Sequence, residues 1–197
     1  MLTNLYLGGA LPIGWLILLT LCLISFCQPF TSRAQTNVSK EYQIKAAFLF
    51  NFAQFVEWPS QTYTNADQPF IIGVLGDDPF GSALDQTVQD ETIHARKLIV
   101  RRSQRPEDLQ DCQLVFISKS EKGRVAEVLP KFTGRRVLTV SEVPGFASRG
   151  GMINFYLDGS KVRFEINPAS AQREELRISS QLLSLGKLIA SDSRKEN

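Results

Sequence analysis

Reactive side chains are scarce in this sequence. It holds one histidine, His94, and three cysteines, Cys22, Cys27 and Cys112, in 197 residues. A Ser-His-Asp triad or a zinc site needs partners gathered around each member, and no serine or cysteine stands in a G-x-S-x-G setting, so neither chemistry has a footing. Glycine-rich phosphate loops are missing as well. The stretch "GVLGDDPFG" at 73–81 has neither G-x-G-x-x-G spacing nor a P-loop lysine, which leaves a nucleotide enzyme unsupported. Charge of one sign is not concentrated either. Twenty-two Lys and Arg face twenty Asp and Glu, for a formal +2, and segments such as Arg173-Glu174-Glu175-Leu176-Arg177 mix the signs, whereas binding nucleic acid through phosphates requires clustered cations. There is no repeat and no low-complexity tract. With 43% apolar and 21% charged residues, the composition is that of an ordinary globular chain able to bury one core.

Charge is also absent from Met1 to Gln28, where "LPIGWLILLTLCLISFC" is followed by the small and polar "TSRAQ". This reads as an export signal. Ser32 and Ala34 fit the small-x-small cleavage rule, giving residues 1–34 as signal peptide and 35–197 as a single exported domain. The leader lacks Lys or Arg at its start and its apolar run is long, so a retained membrane anchor is the alternative. Phe26 before Cys27 and Leu21 before Cys22 are too large for a lipoprotein site. Cleavage removes two of the cysteines. Cys112 then heads "CQLVFIS" alone, unable to form an internal disulfide, and reads as a small buried residue or, alternatively, an intermolecular bridge.

The mature chain opens with "AAFLFNFAQFVEWP", four phenylalanines and a tryptophan ending at Pro59. The spacing predicts a helix over Val38–Trp58, with Ser39 as N-cap, Pro59 as its stop, and Ile44, Phe48, Leu49, Phe52, Phe55 and Val56 on one stripe. Phe48 and Phe52 are expected to be deeply buried. "FIIGVLG" (70–76) reads as a strand buried on both faces and central to the sheet, followed by a helix near 82–89, "KLIV" at 97–100, a turn from Pro106, "LVFI" at 114–117, a helix near 121–131 and "VLTV" at 137–140. Strands alternating with helices imply a mainly parallel sheet of βα units, Rossmann-like in order and flanked by helices. "MINFYLDGSKVRFEI" then predicts a β-hairpin around Asp158-Gly159. Asn167-Pro168 closes it, and a final helix is expected from about Ala169 to Ala190, with Ile178, Leu182, Leu185 and Ile189 inward and Leu182 deeply buried.

Candidate polar sites are few. Asp77 and Asp78 follow the first predicted strand, where open α/β sheets bind ligands. Asp78 before Pro79 equally suits a turn and helix N-cap. Gly150 and Gly151 precede the hairpin, as a tight turn or a close approach to a ligand. Arg101-Arg102 and Arg135-Arg136 flank strands as solvated charge or as a basic mouth for an anion. His94 reads as an ordinary residue between elements.

Three blocks together, "KAAFLFNFAQFVEWP", "GGMINFYLDGSKVRFEIN" and "LRISSQLLSLGKLIA", resemble the YfiR family of periplasmic proteins. With the strands between them in order, the resemblance covers nearly all of residues 40–190. It implies a compact α/β domain that commonly dimerises, uses no cofactor or metal, and does no chemistry. The namesake branch looks like a repressor that binds the periplasmic domain of an inner-membrane diguanylate cyclase and so lowers cyclic-di-GMP synthesis; other members resemble inputs to membrane sensor kinases. Paired cysteines of that branch are not matched here. The alternative reading is a small-molecule-binding sensor domain that feeds a membrane kinase or transporter, with its pocket beside Asp77, Asp78, Gly150 and Gly151. The candidate partner or dimer surface is Phe50 and Trp58, which the buried stripe leaves over, with Leu176 and Leu183 off the stripe of the closing helix. Phe50 packed inside the domain is the simpler alternative, since burying one large aromatic is worth about 1.5–3 kcal/mol.

Overall fold

The computed structural model describes residues 32–190, with side chains from residue 40 onward. Two units are distinguished, Met1–Val38 and Ser39–Asn197, and the second holds the sheet and its covering elements. The expected leader, with Cys22, Cys27, Ser32 and Ala34, lies outside the residues whose side chains are described.

In chain order the elements are helix α1 (Ser32–Phe55), β1 (Val56–Glu57), β2 (Phe70–Leu75), α2 (Ser82–Val88), β3 (Thr92–Ile93), β4 (Arg96–Ser103), β5 (Leu114–Ile117), α3 (Val125–Val128), β6 (Leu138–Ser141), β7 (Ile153–Asp158), β8 (Lys161–Ile166), α4 (Pro168–Arg173), β9 (Arg177–Ile178), α5 (Ser180–Leu185) and β10 (Lys187–Leu188). Among the described residues, eight strands form one sheet in the order β10-β8-β7-β6-β5-β2-β4-β3. Pairing is parallel from β4 through β2, β5 and β6 to β7, while β3 and β8 are antiparallel to their neighbours β4 and β7. Within the parallel part the chain begins at β2, steps to β4 on one side, then to β5 on the other. This is the doubly wound order that brings loops apart at a switch point. As expected, β2 lies inside the sheet, and all six of its residues are buried.

Each face of the sheet has its own core. Ile72, Val74, Leu114, Phe116, Leu138, Val140 and Phe155 meet α1 and α2 on one side; Ile71, Leu75, Val115, Ile117 and Val137 meet Leu109, Val125, Val128, Phe132 and Phe146 on the other. Two-sided burial explains why these strands read as unbroken apolar runs.

α1 packs on a stripe rotated one residue from the expected one. Lys45, Ala46, Leu49, Phe52, Ala53 and Val56 are buried, whereas Ile44 is 38% exposed and Phe48 is half-buried. The two alanines let the helix approach the sheet closely, and Phe48 stays at the margin, in contact with Phe52, Phe155 and Phe164. The helix stops at Phe55, three residues before Trp58, because Val56 and Glu57 pair with Ile178 and Arg177 of β9 and Pro59 holds Trp58 extended.

The hairpin forms as expected, with Gly159 at φ +59°. The closing helix does not. Instead of one helix over 169–190 the chain makes α4, β9, α5 and β10. α4 ends in a Schellman arrangement, Leu176 N–H donating to Ala171 O and Glu175 N–H to Gln172 O, which places Glu175 at φ +61°. Ser179 then caps a new helix, accepting from Leu182 N–H, and Gly186 leaves it in an extended conformation. A Cβ at Gly186 would meet Phe164 and Ile166 at 2.7 Å, so β10 can reach β8 only through glycine. The helix expected over 121–131 is likewise a single α-turn, α3, between 3-10 turns.

Candidate functional site

The amino-terminal helix carries a charge into the core. Lys45 is 2% exposed, and its ammonium is bonded to the carboxylates of Glu41, one turn earlier, and Glu142, just past β6. Tyr42 Oη donates to the other oxygen of Glu142 at 2.9 Å, and Lys45 Nζ lies 4.6 Å from the centre of the Tyr42 ring. Burial first, then the neighbouring carboxylates of Glu142 and Glu41, push the Tyr42 hydroxyl well above its ordinary range. The network pins α1 to the carboxyl end of the sheet. Sequence reasoning missed it, although Lys45, Leu49, Phe52 and Val56 share one helical stripe.

The residues expected at a partner surface are largely used inside the domain. Phe50 is half-buried against the core. Trp58 stands edge-on to Phe70, 5.0 Å between ring centres, and its indole N–H donates to Gln113 O and Arg136 O at 3.2 and 3.0 Å. It staples the end of α1 to the amino ends of β5 and β6. Leu176 is buried and Leu183 half-buried. Trp58 and Leu176 do come together, lining a cleft of 550 Å³ with Glu57, Pro59, Glu175 and Arg177.

Asp77 and Asp78 sit beyond β2 at the switch point, and the protein's own groups fill the space between the loops. Asp77 N–H donates to Ser120 Oγ, and a Cβ on Gly76, already at φ +87°, would lie 2.4 Å from that oxygen and 2.9 Å from Glu121 Oε1. Asp78 accepts from Phe80 N–H and from Arg102 Nε, and Arg102 also holds Asp85. These contacts are those of a turn locked by a guanidinium. A side chain at Gly151 would have to displace Phe146, since a Cβ would fall 2.2 Å from its ring. Gly150, at φ +101°, lines a second cleft of 730 Å³ with Leu129, Phe132, Met152, Arg149 and Arg173. His94 is exposed at φ +50°. Cys112 is buried, and burial pushes its thiol up to about 12. Among the described residues no group of three His, Cys, Asp or Glu could hold a metal ion, and no helix is long and apolar enough to cross a membrane.

Exposed leucines lie elsewhere. Leu157 at the tip of β7 is 52% exposed, Leu185 in α5 63% and Leu188 in β10 55%. Leu188 pairs in register with Ile166, which itself pairs with Ile153, so it faces the same side of the sheet as α1. β10 is the last strand on that side of the sheet among the described residues.

The class the fold defines is a mostly parallel, doubly wound α/β domain with two surface clefts. Within that class the chain belongs to the YfiR/HmsC-like family, whose model matches residues 42–187. The family is one of periplasmic regulators, known as regulatory rather than catalytic. A solved structure, a conserved domain protein from Vibrio cholerae, is similar in fold at 10% identity and TM-score 0.50; the match covers 75% of this chain and 59% of that chain, so this protein spans less than two thirds of its length. No curated protein matches.

Proposed function

We propose that the protein is a non-enzymatic regulator in the periplasm that binds the periplasmic domain of an inner-membrane diguanylate cyclase and represses it. The family match over 42–187 carries this reading. Its physical support is the division of apolar surface: α1 and Trp58 pack largely inside the domain, while Leu185 and Leu188 stay in water at or beside the β10 edge and Leu157 near the tip of the β7–β8 hairpin. An edge strand offers unpaired backbone groups to a partner strand, and exposed leucines around it supply area to bury. Repression then follows from preferential binding to the inactive arrangement of the cyclase, by the difference in affinity for its two states.

The experiment is expression of the chain together with an inner-membrane diguanylate cyclase from the same organism and measurement of cellular cyclic-di-GMP. The level should fall, and Leu185→Asp with Leu188→Asp should restore it. An unchanged level with well-expressed wild-type protein would remove the repressor reading.

A further inference from the structure

The 730 Å³ cleft lies between the 129–134 turn, β6, the loop before β7, and α4. Its size is that of small-molecule sites, which run about 300–1,000 Å³. Half-buried Leu129, backed by the buried Phe132, Val137 and Met152, gives it an apolar wall. Arg149 and Arg173 give it charge. Arg149 donates from Nε to Gly145 O and from Nη2 to Pro144 O, and Arg173 from Nη2 to Ser170 Oγ. Neither forms an ion pair among the described residues, whereas Arg101, Arg102, Arg105, Arg124 and Arg136 each hold a carboxylate. A guanidinium has five N–H donors, so both arginines keep donors in reserve.

The one acid in the cleft does not neutralise them. Both oxygens of Glu174 are taken by backbone, Oε1 accepting from Gly134 N–H at 2.8 Å and Oε2 from Arg136 N–H at 3.1 Å. Glu174 therefore ties the 132–136 turn to α4 and shapes the cleft wall, with both oxygens held by backbone amides. The cleft carries two guanidiniums against this one fixed carboxylate.

We propose that this cleft binds a small organic anion, a carboxylate or phosphate ester with an apolar body, its head group held by Arg149 and Arg173 and its body laid against the Leu129 wall. Guanidinium donors pair with either oxyanion in a forked geometry. The site does not depend on the identity of any protein partner, and it lies apart from Asp77 and Asp78, neither of which lines it.

Calorimetric titration of the whole protein with octanoate, octyl phosphate and, as the uncharged control, octanol tests the site. Saturable one-to-one binding of an anion is expected, at least tenfold tighter than octanol; the tighter of the two anions assigns carboxylate or phosphate ester. Arg173→Gln should weaken it about tenfold or more, the loss expected for a charged hydrogen bond, with partial rescue in Arg173→Lys. Arg149→Gln should do the same, but it also frees two turn carbonyls, so Arg173→Gln at unchanged melting temperature carries the decision. Absence of saturable binding by both anions, equal binding of octanol, or binding indifferent to Arg173→Gln would overturn the proposal.

Discussion

The amino-terminal helix and the carboxyl-terminal segment 176–190 both present large apolar residues at helical spacing, aromatic-rich in the first and aliphatic in the second, and come to opposite ends. In α1 each predicted outward ring has an internal partner: Phe50 rests on the core, and Trp58 is bonded to two strand ends. In the closing segment the periodic leucines part company, Leu182 2% and Leu185 63% exposed. The difference is one of continuity. From Lys45 to its end α1 keeps one buried stripe, and two alanines and an ion-paired lysine let it sit down on the sheet. The backbone turns at Glu175, just before the closing segment, and again at Gly186 within it, so α5 buries only Leu182 and both residues of β10 stay outside.

Four variants put that contrast at risk. The largest effect belongs to α1. Lys45→Met should destabilise the domain by about 3–5 kcal/mol by leaving Glu142 buried without its cation, read by urea unfolding, and Glu142→Gln added to it should recover part of the loss. If Lys45→Met unfolds at the wild-type midpoint, α1 is not anchored by its charge. Next, Gly151→Ala should lose about 1–3 kcal/mol as the new methyl displaces Phe146. A smaller loss, about 1–2 kcal/mol, is expected for Trp58→Phe, which keeps the ring but removes the donor shared by Gln113 O and Arg136 O. Leu188→Asp should change stability by less than about 0.5 kcal/mol, as at other exposed sites, even while it disrupts repression; a melting temperature that drops with it would mean the edge is structural.

Alkaline pH probes the interior from another direction. The folded state raises the Cys112 thiol from 9.0 to about 12 and the Tyr42 hydroxyl above 10.0. For both groups the folded pKa exceeds the unfolded one, so the contribution is complete below pH 9 and is lost as pH climbs toward 12. Unfolding midpoints should hold steady up to pH 9 and fall beyond it, and Cys112→Ala should blunt the early part of that fall.

Much of the fold was legible in the sequence. The buried strands from Phe70, Leu114 and Leu138 announce themselves as short β-branched runs, and Asp158-Gly159 announces the hairpin. The closing segment was not legible because its break rests on a glutamate in the left-handed region, a conformation glutamate rarely signals, fixed by the Ala171 and Gln172 carbonyls. The stripe of α1 was misjudged by one residue for a related reason: Lys45 reads as polar and therefore outward, and only its two carboxylate partners, one of them Glu142 from a distant loop, allow it inside. The cleft of Arg149 and Arg173 joins residues from separate elements and leaves no local pattern beyond the glycine at 150.

Hydrogen exchange on the protein, alone and with the periplasmic domain of the cyclase, is the sharpest test of a sealed helix set against an open edge. New protection is expected at Leu157 and across 185–189, with the amides of 46–56 unchanged because they are already covered. Protection gained along α1, with the β10 edge still open, would contradict it.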